Sequence, residues 1–343
     1  MFANIVVCAR IESEENMTIL VLRGHAKLRQ QGSTIIVQIP EKNEQGDKVY
    51  KTVKRIPILD LDLVVLVGSK VSLSTGVLLL LAKSNVPVAV HSIHVTTTMM
   101  PPFLQAYSET RKAQHRLIEY YPQTALEIAK KIIEAKIVGT LNLATHLAKL
   151  DKREPPDKTS ILKELREDLQ TATTPKQLIN VEANWSKKMW THLKQAIPER
   201  YNFQGRDPKS RDPINVAINY TYAIIYTLST HALLAAGLDP YIGLLHRDRP
   251  GRTSLTYDYS EQFKPAAIHA VIRTARTSTI TLAPDNNLDT TTLETLTRNI
   301  HRTLKKKHRT WKHTIKGYIY AKAWELRNTI TKATQYKPFT YKP

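Results

Sequence analysis

Apolar positions change their rhythm near residue 100 of this 343-residue chain. Before that point they form short runs rich in leucine or β-branched residues: Thr18–Leu22, Ser33–Ile39, Leu61–Val67 and Val86–Val90. Turn-prone clusters such as Glu41–Asp47 (EKNEQGD) separate them, and the combination predicts strands. Between the third and fourth runs, Ser74 or Thr75 can cap a helix over the apolar stretch Gly76–Ala82. Met99–Phe103 (MMPPF) reads as a linker, and beyond it the period becomes helical. Ile118, Leu126, Ile128, Ile132, Ile133 and Ile137 mark a helical stretch over Leu117–Leu147, with Pro122 and Gly139 as its breakers. Arg153–Lys158 is a polar break, and Thr159–Leu169 and Pro175–Leu193 are further helices. Pro213–Ala236 carries the clearest signals: Asp212 as N-cap, Pro213 at the first position, Gly237 as a left-handed stop, and an apolar stripe through Ile214, Ala217, Ile218, Ile225 and Leu228. Leu288–Lys307 and Lys312–Thr331 complete the helices. The expected fold class is α+β, a β-rich domain over residues 1–100 followed by a larger all-α domain over 101–343.

Charge adds a partner to this picture. The chain holds 50 basic and 30 acidic residues, a net charge of +20, which implies an anionic partner. Leu296–Pro343 alone has thirteen lysines and arginines against one acid, Glu325, interleaved with Trp311, Tyr318, Tyr320, Trp324, Tyr336 and Tyr341. That mixture suits nucleic-acid backbone contact with stacking, and equally a helix with a basic face and an aromatic core. Lys305, Lys306 and Lys307 form its densest basic run. The single cysteine, Cys8, excludes a disulfide framework or a cysteine-built zinc cluster within one chain. The N-terminus lacks the pattern of a signal peptide, and the apolar run Gly76–Ala82 is too short for a bilayer, so a cytoplasmic protein with no membrane partner is expected.

Candidate chemistry gathers in Gly237–Lys264. His246 closes an apolar segment, Asp258 and Glu261 stand three apart and share a face if helical, and Arg247, Arg249 and Arg252 lie between. Taken singly, the histidine suits a core position and the acids a solvated surface. Together, carboxylates, an imidazole and a basic loop suit an ion and a phosphate held side by side. One histidine with carboxylates favours Mg²⁺ or Mn²⁺, the nitrogen tilting the choice towards Mn²⁺; His231 and His269 leave zinc open. A further carboxylate is needed, and by composition Glu164, Glu182 and Glu199 are equal candidates. Asn215 reads equally as a site-lining amide or a core amide near a helix start.

Four segments make the chain resemble a known family. Val181–Trp190 (VEANWSKKMW) looks like a glutamate motif, Arg211–Tyr222 (RDPINVAINYTY) like an Asp-Pro-(aliphatic)-Asn helix start, Ala236–His246 (AGLDPYIGLLH) like a histidine motif, and Ser254–Lys264 (SLTYDYSEQFK) like an acidic motif. All four belong to the CRISPR-associated spacer-acquisition integrases, the first-numbered Cas proteins. Asp60–Ser74 and Asn85–Val88 are also similar. Departures are Ala183 and Thr221 for the family's glycines, Met189 for a tyrosine and Lys264 for an arginine.

The resemblance implies Glu182, His246 and Glu261 as catalytic metal ligands, with Asp258 a second acidic position near the ion. It implies Mg²⁺ or Mn²⁺ as cofactor and DNA as substrate. The expected reaction is transesterification, a DNA 3′-hydroxyl attacking a phosphodiester at the edge of a CRISPR repeat. It further implies a homodimer formed through the β-rich domain and a small partner subunit bridging two dimers. By residue type and position, Arg247, Arg249, Arg252, Lys187, Lys305, Lys306 and Lys307 are expected to bind DNA. Two other readings use the same residues: a metal-dependent nuclease of branched or single-stranded DNA, and a DNA-binding architectural protein with an inactive site. Related transposon-borne integrases usually carry an added DNA-binding domain, for which the stretch beyond Thr331 is too short.

Overall fold

A computed structural model describes residues 19–84, 86–91, 96–99, 108–246 and 252–343. Arg247 and Arg249 therefore lie outside the described residues, as do Cys8 and the expected linker from Met100 on. The chain divides into two units, residues 1–102 with 278–301 and residues 103–277 with 302–343.

Among the described residues, eight strands form two sheets in the first unit: β1 (Ile19–Arg23), β2 (Ala26–Gln31), β3 (Thr34–Lys42), β4 (Lys48–Pro57), β5 (Leu63–Val67), β6 (Val71–Leu73), β7 (Val88–His91) and β8 (Thr96–Met99). One sheet runs β1-β5-β7-β8, its first two pairings parallel and β7–β8 antiparallel; the other runs β4-β3-β2-β6. β5 is buried at every residue, as its unbroken apolar run suggests. Ser74 caps α1 (Thr75–Lys83) by accepting from the Val77 amide, and Val77 and Leu81 enter the core with Leu20, Leu22, Leu28, Ile35 and Val64. Strand β4 differs from the rest. Val49, Tyr50 and Val53 are all exposed on it, so it presents an edge with apolar side chains in solvent. The late segment Ser278–His301 joins this unit, with Arg23 pairing Asp285 at 2.8 Å.

The second unit is helical: α2 (Ser108–Tyr120), α3 (Pro122–Leu150), α4 (Lys158–Thr171), α5 (Pro175–Lys194), α6 (Pro213–Ala235), α7 (Ser254–Ser260), α8 (Lys264–Thr277) and α10 (Ile315–Lys332). The last turn of α9 (Thr290–Lys305), from Arg302, also belongs here. Pro122 opens α3 rather than breaking it, because a first-turn proline loses no helical hydrogen bond. Asp212 caps α6 through the Asn215 amide at 2.9 Å, and Gly237 follows the helix with φ +80°. Helix α6 is buried nearly all round and packs on α7, α8 and α10. Helix α3 packs on α5, α8 and the short 3-10 turn Glu261–Phe263 that links α7 to α8.

The basic tail splits its aromatics between two roles. Trp311, Tyr336, Phe339 and Tyr341 are buried, whereas Trp324 is exposed with the Arg327 guanidinium 5.0 Å from its ring. The final residues return along the helices: Phe339 N donates to Gln262 Oε1 at 2.7 Å and the Tyr341 hydroxyl meets His269 Nδ1 at 2.6 Å. Gly139 permits the approach, since a Cβ there would stand 3.1 Å from Tyr341. Among the described residues no helix is long and apolar enough to cross a membrane.

Candidate active site

Helix α3 carries Lys136 on its packed face, and its ammonium lies between two carboxylates distant in sequence. It donates to Glu182 Oε1 on α5 and stands 2.6 Å from Glu261 Oε2 at the start of the 3-10 turn. Ser186, one turn beyond Glu182, donates to the same Oε1 at 2.8 Å. Lys264, three residues after Glu261, pairs with Glu261 Oε1. The Oε2 atom of Glu261 is buried, and the Lys136 ammonium is its close cationic partner.

The charges in this group hold one another. Burial alone would raise the Glu261 pKa; Lys136 and then Lys264 outweigh it and bring it down to about 2. Burial likewise acts to lower the Lys136 pKa, but Glu261 and Glu182 outweigh it and hold it above the ordinary lysine value. Both groups are ionised at neutral pH.

Aromatic rings wall the carboxylates. Lys264 Nζ lies 5.1 Å from the Tyr222 ring centre and 5.6 Å from that of Tyr226. Burial, then Glu261 and Tyr257, push the Tyr226 hydroxyl pKa up, so it stays protonated. Tyr226 meets Tyr257 edge-on at 4.8 Å, and the Arg252 guanidinium lies 4.9 Å from the Tyr257 ring centre. On the other side, Arg206 sits 5.4 Å from Tyr222, fixed by Asn215 Oδ1 at 2.9 Å and Asn219 Oδ1 at 2.7 Å. Asn215 is fully committed to this loop: it also donates to Gly205 O and Asp212 Oδ2. It is a core amide that positions Arg206.

His246 is held by Asp258. The His246 Nδ1 to Asp258 Oδ1 distance is 2.5 Å, and Asp258 Oδ2 accepts the amides of Leu244 and Leu245, both at 2.8 Å. Asp258 is buried, and its oxygens are spent on orienting the loop that ends in His246. With Nδ1 engaged, Nε2 is the nitrogen free to meet a ligand, the carboxylate–imidazole arrangement common behind metal-bound histidines. Gly243 makes this turn possible, because a Cβ there would lie 2.4 Å from His246 O and 2.9 Å from Asp258 Oδ2.

The structure thus brings Glu182 to Glu261 across Lys136, and His246 to Asp258. Among the described residues no three His, Cys, Asp or Glu side chains form one metal-holding group. Two carboxylates already converge on one cation, and this oxygen donor set fits a hard divalent ion. Of the other residues singled out, Lys187 and Lys307 are exposed, Lys306 is half-buried, and the Lys305 ammonium is shielded from solvent. Sequence reasoning missed Lys136, Ser186, Arg206, Tyr222 and Tyr226. The one available signal was Lys136 itself, a charge at i+3 and i+4 from Ile133 and Ile132 in an otherwise apolar stripe.

The two-unit fold has known counterparts. The family model described as CRISPR associated protein Cas1 matches residues 19–308, and the chain belongs to that family. It is 33% identical over 303 residues to the CRISPR-associated endonuclease Cas1 of Hyperthermus butylicus, covering 83% of this chain and 90% of the relative. A second Cas1 endonuclease, from Pyrobaculum aerophilum, is 33% identical over 253 residues, 73% of this chain and 79% of its own. Among solved structures, a casposase bound to integration product superposes with TM-score 0.80 at 25% identity, covering 94% of this chain and 93% of that one. A Cas1 protein from Thermotoga maritima superposes with TM-score 0.70 at 20% identity, over 92% and 97%, and shares the fold.

Proposed function

We propose that the chain is a metal-dependent DNA integrase that inserts fragments at a CRISPR repeat by 3′-hydroxyl transesterification. The observation that carries this reading is the convergence of Glu182 and Glu261 on one cation position. It stands in the same helical unit as a His246 imidazole whose Nδ1 is engaged by Asp258. Family membership and the likeness to a casposase with its integration product support it.

Glu182, Glu261 and His246 Nε2 would hold Mg²⁺ or Mn²⁺, and Asp258 would orient the imidazole rather than ligate. The ion, when bound, supplies polarisation of the phosphoryl oxygen and a lower pKa for the attacking hydroxyl. The chain's own residues do the rest. Arg206, Arg252 and Lys264 present cations beside the carboxylates for phosphate oxygens. Tyr222, Tyr226 and Tyr257 exclude water around them. The bond from phosphorus to the departing 3′-oxygen breaks as the new one forms, so phosphodiester bonds are conserved and no external energy source is needed.

A second reading is favoured by the names of the relatives, which are endonucleases: water replaces the hydroxyl and the same residues cleave DNA. The homodimer and the bridging subunit belong to the proposal as well. The exposed Val49, Tyr50 and Val53 of edge strand β4 are a suitable pairing surface. The test uses a labelled duplex with free 3′-hydroxyls and a repeat-containing plasmid, in Mg²⁺ and in Mn²⁺. Joined product is expected from the parent and none from Glu182→Ala or His246→Ala. Cleavage without joining would leave the nuclease reading; unchanged joining by both variants would exclude this site.

A further inference from the structure

Lys136 occupies the place between the carboxylates that an ion would be expected to take. Its ammonium touches both Glu182 and Glu261, and among the described residues no other cation does so. We propose that Lys136 is an internal counter-ion. It holds Glu182 and Glu261 together in the metal-free protein and withdraws from between them when a divalent cation binds. The inference rests on the metal reading of the site given above.

Three features carry it. Two carboxylates facing one another, Glu261 buried and Glu182 partly so, would repel without a counter-charge, so a resident cation is needed whenever the ion is absent. Lys264 cannot serve, because it pairs only with Glu261 and its ammonium also faces the Tyr222 and Tyr226 rings. Next, the Lys136 ammonium stands 2.6 Å from the buried Glu261 Oε2 and also meets Glu182 Oε1, so it covers an oxygen of each carboxylate that an ion would need. A divalent ion brings twice the charge to the same oxygens, so it can replace the ammonium there. Lastly, a lysine ammonium rides on a flexible four-carbon stem, so it can retreat while α3 stays packed.

Removing the ammonium should therefore help the ion and harm the empty site. Lys136→Met keeps the stem's bulk and deletes the charge. In calorimetric titration of the full chain with Mn²⁺, the variant should bind at least about tenfold more tightly than the parent, about 1.4 kcal/mol. In EDTA it should melt below the parent, and Mn²⁺ should raise its melting temperature by more than it raises the parent's. Lys136→Gln gives the same comparison if the methionine variant does not fold. Equal or weaker Mn²⁺ binding by the variant, with binding by the parent intact, would overturn the role given to Lys136 alone. Absence of Mn²⁺ binding by the parent, or binding undiminished in Glu182→Gln, would overturn the metal reading and this inference with it.

Discussion

Asp258→Asn replaces one oxygen by an amide nitrogen and separates fold from chemistry at His246. The parent carboxylate accepts the Leu244 and Leu245 amides at 2.8 Å through Oδ2 and faces His246 Nδ1 at 2.5 Å through Oδ1. In the variant the carbonyl oxygen keeps the two backbone amides, which turns the NH₂ group towards His246. Nδ1 must then accept, so the proton moves to Nε2 and that nitrogen is lost as a ligand. Hydrogen bonds to a charged acceptor contribute about 1.5–3 kcal/mol each against about 1 for neutral ones, so the asparagine should cost about 1–3 kcal/mol of stability. Asp258→Ala leaves the buried amides with no acceptor and should cost about 3–5 kcal/mol. At about 2–4 °C per kcal/mol for a domain of this size, the alanine variant should melt about 6–20 °C lower. The assay pairs thermal unfolding with strand transfer and with the ¹⁵N shifts of the His246 ring. The expected result for Asp258→Asn is a small loss of stability, a protonated Nε2 and about a ten- to hundredfold loss of joining. Parental activity with an unchanged tautomer would refute the role given to Asp258.

Other consequences follow from the same geometry. Gly243→Ala should destabilise by about 2 kcal/mol or more and reduce joining, since its Cβ would meet His246 O at 2.4 Å; unchanged melting would show that the turn yields freely. Burial, with His146, Lys306 and Arg273, depresses the His269 pKa from 6.5 to about 4, and burial does the same to His91. The unfolded chain takes up these protons first, so stability should be full above pH 6.5 and fall by up to about 3 kcal/mol per histidine towards pH 4. Denaturant titrations at pH 7 and 4.5 check this, and for His269→Phe the slope should shrink. Arg252→Ala should weaken DNA binding and reduce the slope of log affinity against log salt by about one; an unchanged slope would remove Arg252 from the phosphate contacts.

Which parts of this could be read from the sequence follows from how each element is buried. Strands β1, β3, β5 and β7 are apolar runs because they lie in the core, and they were legible. Strand β4 was not: Val49 and Val53 are exposed between lysines, so no buried face imposes a pattern. Helix α8 was hidden by Pro265, which reads as a break but sits in the first turn, where proline is tolerated. Asp258 and Glu261 were readable as neighbours, but one orients a histidine and the other faces a lysine, a difference set by loop 244–246 and α3 rather than by their spacing. Glu182 needed the family resemblance. Lys136 was lost within a long apolar helix because a lone lysine looks like a surface interruption until both carboxylates are placed around it.

The most direct measurement compares the parent with Glu261→Gln in Mn²⁺, on fragments ending in a 3′-hydroxyl or a 3′-deoxy nucleotide, with joined and cleaved products resolved on one gel. The expected result is joined product only from the parent with the 3′-hydroxyl fragment. Joining that survives loss of the hydroxyl, or that persists in Glu261→Gln, would contradict integration at this site.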